Sequence, residues 1–377
     1  MKAGPSPDRV GPLTGFVIGV TADRRSDEQI ELLTRKGASV VHGPTIRTHP
    51  LGAESDLADA TRAVIAEPPD VTLLSTGIGV RGWFEAAESL DLGEDLLDAL
   101  RRGQIFARGK KAHGAAVTAG LALGWQTPNG TSAELVEELA RRGADGLRVA
   151  VQLDGADGAP LAQAVRSLGA DVVAVPVYRW TMPDDAVPAH RLLTAIVDRR
   201  VHAVTFTARP QIENLVELAD AAGLHDELVD AFRHDVVPVC VGPVCGTAAT
   251  DAGFATPLVP DRYRLGSMVL HVASAFEERA MDVELGGVAV RIQGSVVIVD
   301  GAAVQLSDRE ADLLHALAAR FGAVVSKPQL LHRVWNGTES DEHVVEVTVA
   351  RLRGRLGEAG RGLETVVRRG YRLSAAS

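Results

Sequence analysis

The chain has 377 residues, of which 46% are hydrophobic, and its formal net charge is −10. A chain of this length forms two or three globular domains, and this composition excludes a disordered or fibrous protein. It contains no apolar run of 18 residues and no signal-peptide core, which predicts a cytoplasmic protein without membrane association.

The first 276 residues contain an internal repeat. Residues 37–47 and 169–179 both read G-A-x-V-V-x-x-P-x-x-R, and each copy follows a predicted strand and helix. After each copy comes a helix and then a short apolar strand, Val71–Ser75 in the first half and Ala203–Phe206 in the second. Apolar strands that alternate with helices predict βαβ units and parallel sheets. Two copies therefore predict two similar α/β lobes.

The two repeat segments are predicted to be crossovers between the lobes, because each contains a proline that ends a strand. The chain then leaves the first lobe and returns to it. We expect one lobe at 13–48 and 180–276 and the other at 52–172, within a module that spans 13–276. Ligands of open parallel sheets bind beyond the carboxyl ends of the strands, so we expect the strand-end loops of both lobes to face a common cleft.

Other classes of α/β protein are excluded by missing motifs. A P-loop and a G-x-G-x-x-G fingerprint after the first strand are both absent. A phosphate-accepting receiver domain needs an acidic pair after its first strand, where this chain has Thr21. It also needs an aspartate at the end of a central strand, where this chain has Ser75-Thr76 and Thr207. Phosphotransfer is therefore excluded as the input signal.

The module resembles uroporphyrinogen-III synthase. Residues 75–80, Ser-Thr-Gly-Ile-Gly-Val, stand where that family has a T-S-x-x-G-V loop, and Tyr178 stands where it often has a substrate-facing tyrosine. Thr21, Thr207 and Gly242 fall in the matching strand-end loops. The resemblance implies two lobes joined by a two-stranded linker. It also implies a cofactor-free activity, which closes the linear tetrapyrrole hydroxymethylbilane into uroporphyrinogen III.

The chain departs from that family at several hydroxyls. Its G-x-x-T turns end in Ala112 and Cys245, and its second T-S pair reads Thr207-Ala208. Each lost hydroxyl removes a donor for a carboxylate, so we assign no catalytic residue and expect a small anionic ligand. The residues predicted to hold that ligand are Thr21, Arg24, Ser75, Thr76, Gly77, Gly79, Lys110, Lys111, Tyr178, Thr207, Arg209, Gly242 and Cys245. No cofactor is predicted. A chain of this size with only two cysteines, Cys240 and Cys245, is typical of a reducing compartment. The sequence has no set of side chains at the spacing of a metal site, so no metal is predicted.

A second domain is predicted at 288–374, after a linker at 277–287. Its first part is rich in strands, with Asp300-Gly301 as a hairpin turn. Ser307 and Glu310 form a predicted capping box at the start of a helix. Two more helices begin at Ser326 and Asp341, and a final hairpin covers 363–373.

This domain resembles the effector domain of OmpR-type response regulators, a winged helix-turn-helix. Five residue patterns carry the resemblance in order: Leu306-Ser307-x-Arg309-Glu310, Val325-Ser326-Lys327, Leu330-Leu331-x-x-Val334-Trp335, Val345-x-Val347-x-Val349-x-Arg351-Leu352-Arg353 and Arg369-Gly370-Tyr371-Arg372-Leu373. The resemblance implies that the third helix enters the major groove of double-stranded DNA. The terminal hairpin, or wing, would reach the minor groove.

The third helix has a predicted buried face at Val345, Val349, Leu352 and Leu356, which follow helical spacing. From Val345 onward there are seven arginines against three glutamates. Such a run is ordinary for a solvated helix, and it indicates DNA only within a DNA-binding motif. Arg353 could instead be an internal ion-pair partner. The residues predicted to contact DNA are His343, Val347, Ala350, Arg351, Arg353, Arg355, Arg368, Arg369 and Arg372.

Two functions remain open. In the first, the protein is a transcription regulator that binds DNA as a homo-oligomer, and its synthase-like module senses a small anion or mediates assembly. In the second, it is an active uroporphyrinogen-III synthase with an appended DNA-binding domain. Fused modules often share a pathway, and sirohaem derives from uroporphyrinogen III. The regulator's targets would then be tetrapyrrole, sirohaem-linked or nitrite assimilation genes.

Overall fold

A computed structural model describes residues 10–50, 56–153, 159–335 and 341–375. These residues form two compact units. Residues 46–184 make up one unit, which we call lobe B. The other unit contains lobe A, which we define as residues 10–45 and 185–277, and the C-terminal domain, residues 281–375. None of the helices in the described ranges is long and apolar enough to span a membrane.

The strands and helices of the described ranges are numbered here in chain order. The strands are β1 Val17–Val20, β2 Ser39–His42, β3 Arg47–Pro50, β4 Val71–Leu74, β5 Gln104–Ala107, β6 Trp125–Gln126, β7 Arg148–Leu153, β8 Asp171–Pro176, β9 Tyr178–Thr181, β10 Ala203–Phe206, β11 Val237–Cys240, β12 Met281–Leu285, β13 Val288–Gln293, β14 Val296–Val299, β15 Ala302–Gln305, β16 Leu363–Val366 and β17 Gly370–Leu373. The helices are α1 Ser26–Arg35, α2 Asp56–Ala66, α3 Gly77–Glu88, α4 Gly93–Arg101, α5 Gly109–Thr118, α6 Ser132–Arg142, α7 Ala159–Arg166, α8 Val187–Val197, α9 Arg209–Ala222, α10 His225–His234, α11 Pro243–Asp251, α12 Leu265–Glu277, α13 Asp308–Ala318, α14 Lys327–Trp335 and α15 His343–Leu356. A short 3-10 helix, Gly357–Gly362, follows α15.

Lobe A is built on a four-stranded parallel sheet in the order β11-β10-β1-β2. Its core includes Ile18, Val20 and Ala203, which are wholly buried. These residues belong to short apolar runs without polar alternation, which is the pattern of strands covered by helices on both faces. The prediction of a parallel α/β lobe is confirmed.

Lobe B contains a five-stranded parallel sheet in the order β6-β5-β4-β7-β8. It also contains the antiparallel pair β3-β9, in which Thr48 lies opposite Trp180. Each repeat segment therefore contains an edge strand of one sheet, β2 or β8, and the first residues of one strand of this ribbon, β3 or β9. The structure groups the ribbon with lobe B, so this unit is longer at both ends than the predicted 52–172.

Along the chain, the C-terminal domain consists of a four-stranded antiparallel sheet, three helices, α13 to α15, and the two-stranded wing β16-β17. Ser307 donates its backbone N–H and its hydroxyl to Glu310, both at 2.8 Å, at the start of α13. The predicted inner face of α15 is buried, with Val345 and Leu352 at 0% exposure.

The predicted linker at 277–287 is largely structured. Helix α12 extends to Glu277, and β12 pairs with β13 from Met281↔Ile292 to Leu285↔Val288. Residues 281–285, Met-Asp-Val-Glu-Leu, alternate apolar and acidic side chains, as expected for a strand with one solvated face. Strand β12 therefore replaces part of the predicted linker, and the connection between lobe A and the C-terminal domain is only about three residues long.

Candidate DNA interface and strand-end loops

Helix α15 turns one face toward α13 and the other toward solvent. His343, Ala350, Arg351 and Gly354 are exposed, and Val347 is half-buried. This division follows from the helical period, which places these positions opposite the buried valines and leucines. An exposed helix face of this width can enter the major groove of DNA.

Three predicted DNA-contact arginines are free of ion pairs within the described part of the domain: Arg351, Arg368 and Arg369. Arg351 is exposed on α15, and Arg368 and Arg369 are exposed in the turn of the wing. Arg368 adopts a φ of 60°, and its neighbour Val367 is 78% exposed. Unpaired guanidinium groups keep all five donors available for phosphates or base edges.

The other three predicted arginines have partners inside the domain. Arg353 donates from Nε to the carbonyl of Leu363 and from Nη2 to the hydroxyl of Thr365, both at 2.7 Å. Arg355 Nε lies 3.3 Å from Glu310. Arg372 donates to Glu364 across the wing at 2.7 Å. The Arg353 contacts fix α15 relative to the wing, the Arg355 contact joins α15 to α13, and the Arg372 contact links the two strands of the wing.

The sequence interpretation missed Glu346, which is exposed on α15. Lys327 and His343 both contact its carboxylate, and these hydrogen bonds lower the pKa of Glu346. Lys327 is 19 residues away, at the start of α14, so no local spacing could indicate the pair. The carboxylate places an acceptor on the exposed side of α15.

In lobe B, the loop after β4 is held by a buried glutamine. Gln152 Oε1 accepts from the backbone N–H of Ser75 and of Thr76, both at 2.9 Å, and from the Ser75 hydroxyl at 3.1 Å. Thr76 caps α3 by accepting from Gly79 N at 3.2 Å. Gln152 is wholly buried at the end of β7, 77 residues along the chain, and it was missed for that reason.

Lobe A contains an equivalent arrangement. Gln211 Oε1 accepts from Thr207 N at 2.6 Å and from Ala208 N at 3.2 Å. The hydroxyl of Thr21 donates to Thr205 O at 2.8 Å. Arg209 is exposed but donates to Glu213 on its own helix at 2.6 Å. The chain itself therefore satisfies most of the donors that were predicted for a ligand in this lobe.

Several other predicted ligand residues lie inside the lobes. Tyr178 is 7% exposed, and its ring centroid lies 5.7 Å from that of Trp180. Cys245 is 2% exposed, and the hydrogen bond with Cys240 together with burial raises its pKa. Ala112 is wholly buried. A hydroxyl at position 112 or 245 would face the protein interior, so its absence is not a lost ligand donor as the sequence argument assumed.

The remaining predicted positions mark helix starts. Gly77 and Gly79 are buried in the first turn of α3, and Gly242 caps α11. Arg24 is exposed after β1, and Lys110 and Lys111 are exposed in the first turn of α5. Neither lysine forms an ion pair with the residues that the structure describes. In the same ranges, no group of three or more His, Cys, Asp or Glu is arranged to hold a metal ion.

Comparison with known proteins assigns both parts of the chain. The family described as Uroporphyrinogen-III synthase HemD matches residues 27–270, and the family described as Transcriptional regulatory protein, C terminal, matches residues 301–373. The chain is 27% identical to the uncharacterized protein YjjA of Bacillus subtilis (strain 168) over 267 residues, 71% of this chain and 98% of that protein. It is 40% identical to the transcriptional regulatory protein CutR of Streptomyces coelicolor over 91 residues, 24% of this chain and 42% of CutR.

Similarity to a solved structure extends over most of the chain. A mutant uroporphyrinogen III synthase from the extremely thermophilic bacterium Thermus thermophilus superimposes with a TM-score of 0.59 at 29% sequence identity. It covers 70% of this chain and 99% of that one. The chain therefore belongs to the uroporphyrinogen-III synthase HemD family, and it carries a C-terminal DNA-binding domain of the OmpR type found in transcriptional regulatory proteins.

Proposed function

We propose that this protein is a transcription regulator that binds duplex DNA through residues 281–375. The observation that carries the proposal is the set of three exposed arginines without ion pairs in the described domain, Arg351 on α15 and Arg368 and Arg369 in the wing. Net charge alone would argue against nucleic acid, since the chain carries −10. Local positive charge on a helix and wing matters more than the total, because DNA phosphates are screened beyond roughly 10 Å.

In this proposal the exposed face of α15 reads bases. Arg351 can donate two hydrogen bonds to guanine O6 and N7, and Val347 and Ala350 can contact thymine methyl groups. His343 lies at the start of the same face. Arg368 and Arg369 hold phosphates or enter the minor groove. Arg353, Arg355 and Arg372 position α15 and the wing, and any contact that they make with DNA is secondary to that role.

The synthase-like module is proposed to sense a small anion. Lys110 and Lys111 are exposed where α5 begins, and a helix N-terminus attracts negative charge. Arg24 is exposed beside the strand-end loop of lobe A. The loop N–H groups that Gln152 and Gln211 occupy are not available as additional donors. Such a module can attract carboxylates, but it has few fixed donors with which to stabilise a transition state.

The second candidate is an active synthase, favoured by the family match over residues 27–270. The sensor and the active synthase can be distinguished by incubating purified full-length protein with hydroxymethylbilane and identifying the product isomers. Under the sensor proposal, the products are the type I isomer that forms without enzyme. Efficient formation of the type III isomer, or rescue of a strain that lacks its synthase, would replace the sensor proposal with the enzyme.

We further propose that the regulated genes belong to tetrapyrrole, sirohaem-linked or nitrite assimilation pathways, and that the protein binds them as a homo-oligomer. The first proposal rests on the fusion of the two domains, and neither proposal rests on any side chain. Sequencing the DNA that the full-length protein retains from fragmented genomic DNA tests the first. Light scattering of the protein with and without a retained fragment tests the second.

A further inference from the structure

The segment of residues 11–16, which we call the docking segment, lies directly before β1 and contacts the turn between β13 and β14. Gln293 Nε2 donates to the carbonyls of Gly11 at 2.9 Å and Thr14 at 2.8 Å. Ser295 donates its backbone N–H to the Gly15 carbonyl at 2.9 Å, and its hydroxyl to the same oxygen at 3.0 Å. Four hydrogen bonds therefore join lobe A to the first sheet of the DNA-binding domain.

Two glycines allow the backbones to approach closely. Gly15 has a φ of +83° and Gly294 a φ of +55°, both in the region that favours glycine. A Cβ at Gly15 would overlap the carbonyl oxygen of Gln293 and lie 2.9 Å from Val296 N. A Cβ at Gly294 would overlap the carbonyl oxygen of Gly15. Each side of the contact therefore has a glycine where a side chain would prevent the approach, as expected for a permanent intramolecular interface.

Aromatic side chains support the docking segment from within lobe A. Phe16 is 5% exposed, and its ring lies edge-on to Phe276 at 4.8 Å and to His202 at 5.2 Å between centroids. His202 Nδ1 accepts from Val17 N at 3.0 Å. On the other side of the contact, His315 Nε2 lies 2.8 Å from the Gly294 carbonyl. The interface therefore continues from the α12 core of lobe A to α13 of the DNA-binding domain.

The docking segment lies between the β13–β14 turn and strand β1. It leads directly into β1, whose four residues end next to Thr21 in the strand-end loop. None of its hydrogen bonds to the DNA-binding domain involves α15, β16 or β17 within the described ranges. The exposed arginines of α15 and the wing therefore stay accessible while the domain is docked.

We propose that the docking segment holds the DNA-binding domain on lobe A as a fixed body and couples the strand-end loop after β1 to it. The domain is then not a freely tethered module, and its orientation is set by lobe A. The regulatory meaning of this coupling rests on the proposed function, but the docking does not.

Amide hydrogen exchange of the full chain tests the docking directly. The Ser295 amide lies in a turn, and its partner is the Gly15 carbonyl, so it is protected only while the docking segment is in place. We expect Gly15→Ala to speed its exchange by roughly tenfold or more. Gly287→Ala is the matched control, since Gly287 has a φ of +81° but a Cβ there would meet nothing within 4 Å. We expect this control to leave Ser295 unchanged.

A second variant covers the case in which Gly15→Ala disturbs folding. Gln293→Ala removes two of the four hydrogen bonds without adding a clash, and it should also speed exchange at Ser295 while the α13 amides stay protected. An unprotected Ser295 amide in the wild-type chain, or equal effects of Gly15→Ala and Gly287→Ala, would overturn the proposal. The readout uses no DNA, so a failure of DNA binding and a failure of docking are separate results.

Discussion

At the scale of single residues, arginines two positions apart on α15 have different surroundings. Arg351 is exposed and has no ion pair among the described residues, whereas Arg353 makes two hydrogen bonds to β16 and lies 5.9 Å from the Tyr371 ring centroid. The sequence predicted both as candidate DNA contacts and left an internal role open for Arg353. Only the folded wing, which brings Leu363 and Thr365 to Arg353, distinguishes them.

Arg351→Ala should weaken binding to a specific DNA site by about 1–3 kcal/mol, while binding to unrelated DNA changes little, because a base contact is lost. Fluorescence anisotropy on both duplexes measures the difference. Arg320→Ala is the control, since Arg320 is exposed two residues after α13 and also lacks an ion pair in the described domain. Equal losses on both duplexes would show that Arg351 contacts phosphate.

Arg353→Lys keeps the positive charge but cannot form the paired bonds to Leu363 and Thr365. We expect it to lower the stability of the domain by about 1–2 kcal/mol and to reduce DNA affinity through a displaced wing. Thermal unfolding and anisotropy of the same sample check both effects. Unchanged stability combined with unchanged DNA affinity would mean that a charge alone suffices at this position.

His202 gives the fold a defined pH dependence. Burial, together with the nearby charges of His315 and Arg279, lowers its pKa to about 4, against the opposing effects of the Val17 backbone hydrogen bond and of Asp308. As pH falls below about 6.5, His202 becomes protonated in the unfolded chain but stays neutral in the folded chain. The free energy of unfolding therefore falls between pH 6.5 and 4, by up to roughly 3 kcal/mol. Above pH 6.5 His202 is neutral in both the folded and the unfolded chain, so no stability is lost through its titration.

The measurement is thermal unfolding of the full chain between pH 4.5 and 7.5. His202→Gln keeps a neutral hydrogen-bond acceptor for Val17 N and removes the titration, so its midpoint should depend less on pH in this window. Parallel pH profiles for the variant and the wild type would assign the acid sensitivity to other groups.

At the scale of elements, the sequence predicted what depends on local period. The buried face of α15, the capping box at Ser307 and the parallel strands β1 and β10 all follow from side-chain spacing within a few residues. Strand β12 was recoverable from its alternation but was interpreted as linker. The bonds from Gln152 to Ser75 and Thr76 were not recoverable, because nothing local relates a glutamine at the end of one strand to a loop that follows its neighbour.

Gln152→Leu should destabilise the chain by about 2–3 kcal/mol, because it leaves the buried N–H of Ser75 and the partly buried N–H of Thr76 without partners. Gln211→Leu should act similarly in lobe A. Urea unfolding of the full chain measures both. Gln163→Leu is the control, since Gln163 is exposed on α7, and a loss at Gln152 no larger than at Gln163 would mean that the loop does not depend on this glutamine.

In the molecule as a whole, the internal repeat predicted two similar lobes and two crossover segments, whereas the pairing of those segments as a two-stranded ribbon was implied by the family resemblance. The contact between the docking segment and the β13–β14 turn joins residues about 280 positions apart, and no periodicity indicates it. It also explains why the short connection at 278–280 need not act as a flexible tether. Most of the chain's negative charge lies before residue 302, so the DNA-binding domain is the part suited to phosphates.

DNA recognition by residues 281–375 is tested most directly by comparing the full chain with a chain that ends at residue 280, on DNA recovered from its own genome. We predict that the full chain binds and that its affinity falls steeply and log-linearly with salt, because bound arginines release counterions from phosphates. The shortened chain, with the HemD-like lobes intact, should show no binding at any salt concentration. Binding by the shortened chain as tight as that of the full chain would contradict the assignment of DNA recognition to residues 281–375.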